Sequence, residues 1–229
     1  MGNQMRRFDL IIFDWDGTLA DSAAQIVTSM QGAIAALNLP PRSDHEIRDL
    51  IGLGMNDVLT RLFPELNVDD LMRLLGAYRE RFLSNQPPEA PLFAGALAAL
   101  EKLSGQGYLL AVATGKSRAG LRRSFAHHTR VRELMSSSRT ADETASKPDP
   151  LMLKELLEEF ELPPERALMV GDTEYDAGMA AALNMPMAGV ECGVHNGERL
   201  RQFGAEVVLE YAAHLPVWLA RSQGSAVPA

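Results

Sequence analysis

The stretch Asp14-Trp15-Asp16-Gly17-Thr18 decides how the rest of the 229-residue sequence is interpreted. It follows residues 8–13, a short and mostly apolar run that predicts a buried strand. Ligands of open α/β sheets bind beyond the carboxyl ends of the strands, so both carboxylates are expected in a ligand crevice. Because Asp14 and Asp16 carry like charges, they need a nearby cation or a raised pKa to lie close together.

The overall composition limits the classes of protein to which this sequence can belong. With 46% hydrophobic residues, the chain can form one large domain, or a core domain with a smaller insertion. A net charge of −8 without a basic run argues against nucleic acid as a partner. No run of about 18 consecutive apolar residues is present, so we expect no membrane segment and predict a cytoplasmic protein. Cys192 is the single cysteine, which excludes an internal disulfide.

Two sharp breaks divide the sequence into an α/β part and a helical insertion. Residues 20–89 are predicted to be all-helical, because apolar residues recur there at helical spacing. Ser22 is predicted to cap the first of these helices. We therefore predict a core domain made of residues 1–19 and 90–229, with residues 20–89 as a separate helical domain.

The remainder alternates between strand-like and helical segments, which predicts a parallel sheet covered by helices on both faces. Asp149 is predicted to cap a helix that begins at Pro150, and Thr173 to cap one with Asp176 at its third position. After the first strand, further strands are predicted at residues 108–113, 134–137, 167–170, 187–190 and 206–209.

More polar residues are found at or near the ends of these strands. Thr114-Gly115-Lys116 follows one strand, Lys147 precedes a capped helix, and Asp172 and Asp176 follow another strand. Because the ends of parallel strands share one edge, we expect these side chains in the same crevice as the two aspartates. Each has a plainer alternative: a turn at Asp16-Gly17, helix-start acids, a strand-end hydroxyl and a solvated lysine.

Charge suggests the chemistry of such a crevice. Converging carboxylates with open positions suit Mg²⁺, which prefers hard oxygen ligands. Lysine can bind a phosphoryl group as a point charge, and a glycine backbone amide can approach its oxygens closely. One carboxylate can attack phosphorus to form an aspartyl-phosphate, while a second protonates the leaving alkoxide and then activates water.

Four motifs in this order resemble the haloacid dehalogenase superfamily, in the branch with a helical cap inserted after the first motif. The phosphoglycolate phosphatase-like members are the most similar. The motifs are Asp14 to Leu19, Ala113 to Lys116, Ser146 to Pro148 and Gly171 to Asp176. The resemblance implies a Rossmann-like parallel sheet core and a cap formed by residues 20–89.

The resemblance also implies a role for each motif residue. Asp14 is expected to be the nucleophile and Asp16 the general acid and base. Mg²⁺ is expected to bind Asp14, Asp16 through its backbone carbonyl, and Asp172. Thr114, Gly115 and Lys147 are expected to hold the phosphoryl group, and Asp176 to support the metal site or Lys147.

Alternatives within the superfamily differ at single positions. Dehalogenases lack the second aspartate of the first motif, so Asp16 favours phosphate chemistry. Phosphonoacetaldehyde hydrolases use a cap lysine, whereas residues 20–89 contain none. A β-phosphoglucomutase shares all four motifs and remains open, as does a non-catalytic protein that binds a phosphorylated metabolite. The resulting hypothesis is a Mg²⁺-dependent phosphatase of a small phosphorylated metabolite, with 2-phosphoglycolate as the leading substrate.

Overall fold

Residues 6–84 and 89–224 are described in the structure, which is a computed structural model. Within them, six strands form one sheet in the order β3-β2-β1-β4-β5-β6, and every neighbouring pair is parallel. The strands are β1 (Leu10–Phe13), β2 (Leu109–Thr114), β3 (Ser137–Thr140), β4 (Ala167–Gly171), β5 (Met187–Val190) and β6 (Val207–Leu209).

Helices connect the strands and also form the insertion after β1. The insertion contains α1 (Ala23–Ala36), α2 (Asp44–Asp49), α3 (Met55–Leu62) and α4 (Val68–Ser84). The helices that follow are α5 (Ala96–Gly105), α6 (Arg118–His127), α7 (Thr129–Leu134), α8 (Leu151–Glu159), α9 (Glu174–Ala181), α10 (Gly197–Gln202) and α11 (Leu215–Gly224).

The central strand β1 is buried on both faces. Its successive side chains point to opposite sides of the sheet. Ile11 and Phe13 pack in one hydrophobic cluster, whereas Leu10 and Ile12 pack in the other. A third cluster is built from the four helices of the insertion together with Tyr175 of α9. The sheet therefore fixes the end of β1 rigidly, and the insertion has its own apolar packing.

The predicted α/β fold with a parallel sheet is confirmed, while several local predictions are wrong. The third strand lies at 137–140 and not at 134–137, and α10 was not predicted. Ser22 occupies the capping position of α1, but its side chain makes no cap hydrogen bond. The helix predicted from Pro150 begins one residue later, although Asp149 accepts a hydrogen bond from the Leu151 amide at 2.9 Å.

Candidate active site

The carboxyl ends of three neighbouring strands bring the sequence motifs together. β1 lies between β2 and β4, with Phe13 opposite both Val112 and Val170. The residues that follow these positions therefore lie side by side at one edge of the sheet. Lys147 reaches the same edge from the loop between β3 and α8.

Three carboxylates and one ammonium group form the buried centre of the site. Asp14, Asp172 and Asp176 each offer a carboxylate oxygen, and these atoms lie within 4.8 Å of one another. Lys147 is 0% exposed and donates to Asp14 Oδ1 and to Asp176 Oδ1, both at 2.6 Å. Three negative charges and one positive charge leave two negative charges in the interior.

Burial disfavours the charged forms of these side chains and shifts their pKa values. Desolvation raises the pKa of Asp14 to about 7, although Lys147 pulls it down. Desolvation, with the negative charges of Asp14 and Asp176, raises the pKa of Asp172 well above its usual range. Burial opposes the charge of Lys147, but the two carboxylates it contacts outweigh this effect and raise its pKa. The centre thus carries more negative charge than its own cation compensates.

Neighbouring groups hold Asp172 in place. Thr18 donates its hydroxyl to Asp172 Oδ1 at 2.9 Å, and the Val194 amide donates to Oδ2 at 2.8 Å. Gly17 has φ +84°, and a Cβ there would overlap the Asp172 carboxylate. The glycine of the first motif is thus required by both backbone conformation and space.

Asp16 lies outside the group of three carboxylates and has different partners. Its Oδ1 accepts a hydrogen bond from Ser22 at 2.5 Å and from the Lys116 ammonium at 2.8 Å. Lys116 and Asp16 are both largely buried, each with a side chain 9% exposed. The sequence motifs predict no role for Lys116, and the predicted cap at Ser22 is wrong, since its hydroxyl donates to Asp16. The position of Lys116 two residues after Thr114 is the sequence feature that could have indicated a place in the site.

A cavity of about 380 Å³ opens above these strand ends. We call Asp14, Asp16, Thr114 and Gly115 its floor, since they line it from the sheet side. Its roof is formed by side chains of α1, α3 and α4 and by the loop between α2 and α3; among them are Ile26, Leu53, Met55, Val58, Leu75, Tyr78, Arg79 and Phe82.

The floor and the roof approach each other closely at Gly115. A Cβ at Gly115 would overlap the Gly52 carbonyl oxygen and would lie 2.6 Å from that of Leu53. The Gly54 amide also donates to Ser146 Oγ at 2.8 Å. Lys147, Asp172 and Asp176 do not line the cavity, and Lys147 contacts Asp14, which does.

A second contact between the insertion and the sheet part lies at Asp49, the last residue of α2. Arg199 of α10 forms ion pairs with Asp49 and, at 2.6 Å, with Glu174 of α9. The Tyr175 hydroxyl donates to the Asp49 carbonyl at 2.9 Å. His195 is buried here and accepts a hydrogen bond from the Glu174 amide at 3.0 Å.

The buried carboxylates fit a divalent cation. Within the part of the chain that the structure describes, Asp14 Oδ2 is buried and has no hydrogen-bond partner. The donor atoms are all carboxylate oxygens, and the surplus of two negative charges matches one divalent ion. Asp14, Asp172 and Asp176 could therefore hold Mg²⁺.

Comparison with known proteins gives the family. Residues 11–190 match the model of the haloacid dehalogenase-like hydrolases. The chain belongs to this family. It is 28% identical over 215 residues to a phosphoglycolate phosphatase of Mesorhizobium japonicum, covering 92% of this chain and 94% of the relative. It is 31% identical over 206 residues to the probable phosphatase IndB of Dickeya dadantii, covering 88% and 89%.

A solved structure agrees with these matches. A predicted phosphoglycolate phosphatase from Haemophilus somnus superimposes with a TM-score of 0.84 at 25% identity, covering 93% of this chain and 99% of that one. The predictions of the superfamily, its fold and a phosphatase-type hydrolase are confirmed. Among the described residues, none of the helices is both long and apolar enough to cross a bilayer.

Proposed function

We propose that this protein is a Mg²⁺-dependent phosphatase of a small phosphorylated metabolite and that Asp14 forms an aspartyl-phosphate during turnover. The observation that carries the proposal is the state of Asp14. One of its oxygens is held by Lys147, the other is buried without a partner, and the residue lines the cavity beside Asp16. A carboxylate so oriented is suited to attack phosphorus.

The proposed phosphoryl site combines the floor with the lysine beneath it. An ammonium group has three donors, and two of those of Lys147 are used by Asp14 and Asp176, which leaves one for a phosphoryl oxygen. Thr114 and the Gly115 amide line the cavity next to Asp14. Asp14, Asp172 and the Asp16 carbonyl would hold Mg²⁺, with Asp176 in support. The ion would offset the charge of the phosphoryl group and its carboxylate neighbours.

In the first half of the proposed reaction, an Asp14 oxygen attacks phosphorus and the bond from phosphorus to the ester oxygen breaks. Protonated Asp16 gives its proton to the departing alkoxide. The hydrogen bonds from Ser22 and Lys116 orient the Asp16 carboxyl for this transfer. In the second half, Asp16 accepts a proton from a water that attacks phosphorus, and the bond between phosphorus and Asp14 breaks to release inorganic phosphate.

We also propose that residues 20–89 form a cap that excludes water from the reacting groups. The roof side chains above Asp14 and Asp16 support this role. Enclosure by apolar groups keeps solvent water from attacking the phosphoryl group before it is transferred to Asp14. A cytoplasmic location stays a prediction.

A phosphate-release screen over phosphorylated metabolites tests the activity. 2-Phosphoglycolate is the first compound to include, because the name of the Mesorhizobium relative specifies it. We expect release that stops in EDTA and returns with Mg²⁺. Release that persists in EDTA would remove the metal from the proposal. Conversion of β-glucose 1-phosphate to glucose 6-phosphate would replace the phosphatase with a mutase, and no release from any ester would indicate a binding protein.

The covalent step has a separate test. A reaction quenched in acid within milliseconds should contain enzyme whose mass is increased by one phosphoryl group, and peptide mapping should place the addition on Asp14. A steady-state reaction in which no modified enzyme accumulates at any quench time, even for the Asp16→Asn variant, would contradict the intermediate.

A further inference from the structure

We propose that the substrate of this site is a phosphate monoester of an apolar alcohol, whose carbon chain fills the roof of the cavity while the Tyr78 hydroxyl contacts the ester end. The proposal rests on the phosphatase function proposed above and specifies its leaving group. It follows from three properties of the cavity: its size, the chemistry of its roof and one hydroxyl group in its lining.

The cavity is larger than a phosphoryl group and a two-carbon leaving group need. Its volume of about 380 Å³ lies within the ~300–1,000 Å³ range of sites that enclose drug-sized ligands. One end is the floor, where the phosphoryl group would bind. The rest lies under the roof and is available to the leaving group.

The roof is apolar where it faces this space. Leu53, Val58 and Leu75 are each no more than 6% exposed although they line the cavity, so the insertion encloses it. Among the described residues of the insertion, Arg79 is the one charged side chain in the lining. A leaving group that carries a carboxylate would have to place its charge against apolar walls, reach Arg79, or compete with Asp16 for Lys116, and an unpaired charge is costly to bury. An apolar chain fits the same walls without that cost.

Tyr78 provides the polar contact. It lines the cavity from α4 and is only 8% exposed. Burial, together with the negative charge of Asp16, raises its pKa, so the hydroxyl stays protonated and can donate. A hydroxyl that lines the cavity near the proposed acid is suited to donate to an ester or phosphoryl oxygen.

Hydrolysis of ethyl, butyl and hexyl phosphate tests the leaving-group preference. The three alcohols leave with similar intrinsic reactivity, so differences in kcat/KM report contacts with the carbon chain. We expect kcat/KM to rise about fourfold per methylene until the cavity is filled. 2-Phosphoglycolate should be a poorer substrate than butyl phosphate.

Matched variants locate the effect. Met55→Gln keeps the volume of a roof side chain but makes it polar, and it should lower the ratio of hexyl to ethyl phosphate activity by roughly fivefold. Met72→Gln makes the same change on the exposed face of α4, where Met72 is 57% exposed, and should leave the ratio unchanged. Tyr78→Phe should lower kcat/KM for ethyl and hexyl phosphate alike, by roughly threefold to tenfold.

Four results would overturn the proposal or part of it. Equal activity on all three alkyl esters would exclude a role for the roof in binding carbon. A preference for 2-phosphoglycolate that collapses in Arg79→Gln would show that the leaving group is anionic, while leaving the phosphatase function intact. Absence of phosphate release from every ester, p-nitrophenyl phosphate included, would overturn the phosphatase function and this inference with it. An unchanged Tyr78→Phe variant would remove the hydroxyl contact.

Discussion

The floor and the roof of the cavity are built on opposite principles. On the floor, each ionised side chain has fixed partners: Lys147 binds Asp14, and Lys116 and Ser22 bind Asp16. The roof instead consists mainly of apolar side chains that belong to the hydrophobic packing of the insertion. This difference indicates that catalysis and folding stability depend on different residues of this protein. Small polar changes on the floor should alter rate with little loss of stability, whereas changes in the packing behind the roof should alter stability first.

The largest effect is expected from Asp14→Asn. The amide cannot serve as the nucleophile, so release of p-nitrophenol from p-nitrophenyl phosphate should fall to the background rate. Burial raises the pKa of Asp14 because its charge is unfavourable there, so the neutral amide should leave the melting temperature equal or higher. Activity assays and thermal melts on the same sample check both statements.

Asp69→Asn is the matched control for this change. Asp69 is an exposed carboxylate in the first turn of α4, and the same chemical change there should leave the rate at the wild-type value. A wild-type rate in Asp14→Asn would show that Asp14, on the floor of the cavity, is not the nucleophile.

The next largest effect is expected from Asp16→Asn, which should slow steady-state turnover by roughly 10²–10⁴-fold. Its amide oxygen can still accept from Ser22, but it cannot transfer a proton. p-Nitrophenolate leaves without needing that proton, so the loss should fall mainly on hydrolysis of the aspartyl-phosphate. Stopped-flow absorbance should then show a burst of one p-nitrophenolate per enzyme before the slow phase. Slow turnover without a burst would place Asp16 in the first step alone, and an unchanged rate would remove it from acid–base catalysis.

The floor could be predicted from the sequence because its residues lie in short local motifs. Asp14 and Asp172 directly follow apolar strands and Thr114 ends one, and the geometry of a parallel sheet alone brings such positions together. Their partners were harder to predict. Ser22 matches the local pattern of a helix cap, but Asp16, six residues earlier, lies close enough in space to take its hydroxyl hydrogen.

The roof could not be predicted, because helical periodicity gives an apolar face without saying what that face covers. Tyr78 and Leu75 fit the pattern of ordinary core positions in α4, and both belong to the apolar cluster of the insertion. Their place over Asp16 depends on how the whole insertion packs on the sheet. The misplaced β3 has a related cause, since Ser137-Ser138-Arg139-Thr140 is an edge strand without apolar alternation.

Leu74→Ala addresses the packing behind the roof. Leu74 is 0% exposed in α4 and lies in the cluster of the insertion, so its truncation should lower the free energy of unfolding by about 2–5 kcal/mol. The neighbouring Met72 is 57% exposed, and Met72→Ala should change it by less than about 0.5 kcal/mol. Denaturant titrations of both variants give the comparison. If the two variants lose equal stability, the packing of the insertion does not carry the fold in the way its burial indicates.

The smallest effect is expected at Asp49, where helix α2 of the insertion meets α9 and α10 of the sheet part. Burial would raise the pKa of Asp49, but its hydrogen bond to Arg199 and the positive charge of that residue lower it below its usual 3.8 overall. A carboxylate whose pKa is lower in the folded state adds stability above its unfolded pKa, and this contribution is lost as the pH falls through the folded value.

Because the Asp49 side chain is 35% exposed, solvent screening limits the ion pair of Asp49 and Arg199 to about 0.2–1 kcal/mol. Asp49→Asn should therefore lower the melting temperature slightly at pH 7, and the difference from wild type should shrink below pH 3.8. Equal melting temperatures of Asp49→Asn and wild type at pH 7 would mean that Asp49 joins the two parts by its backbone contact with Tyr175, which the variant keeps, and not by its charge.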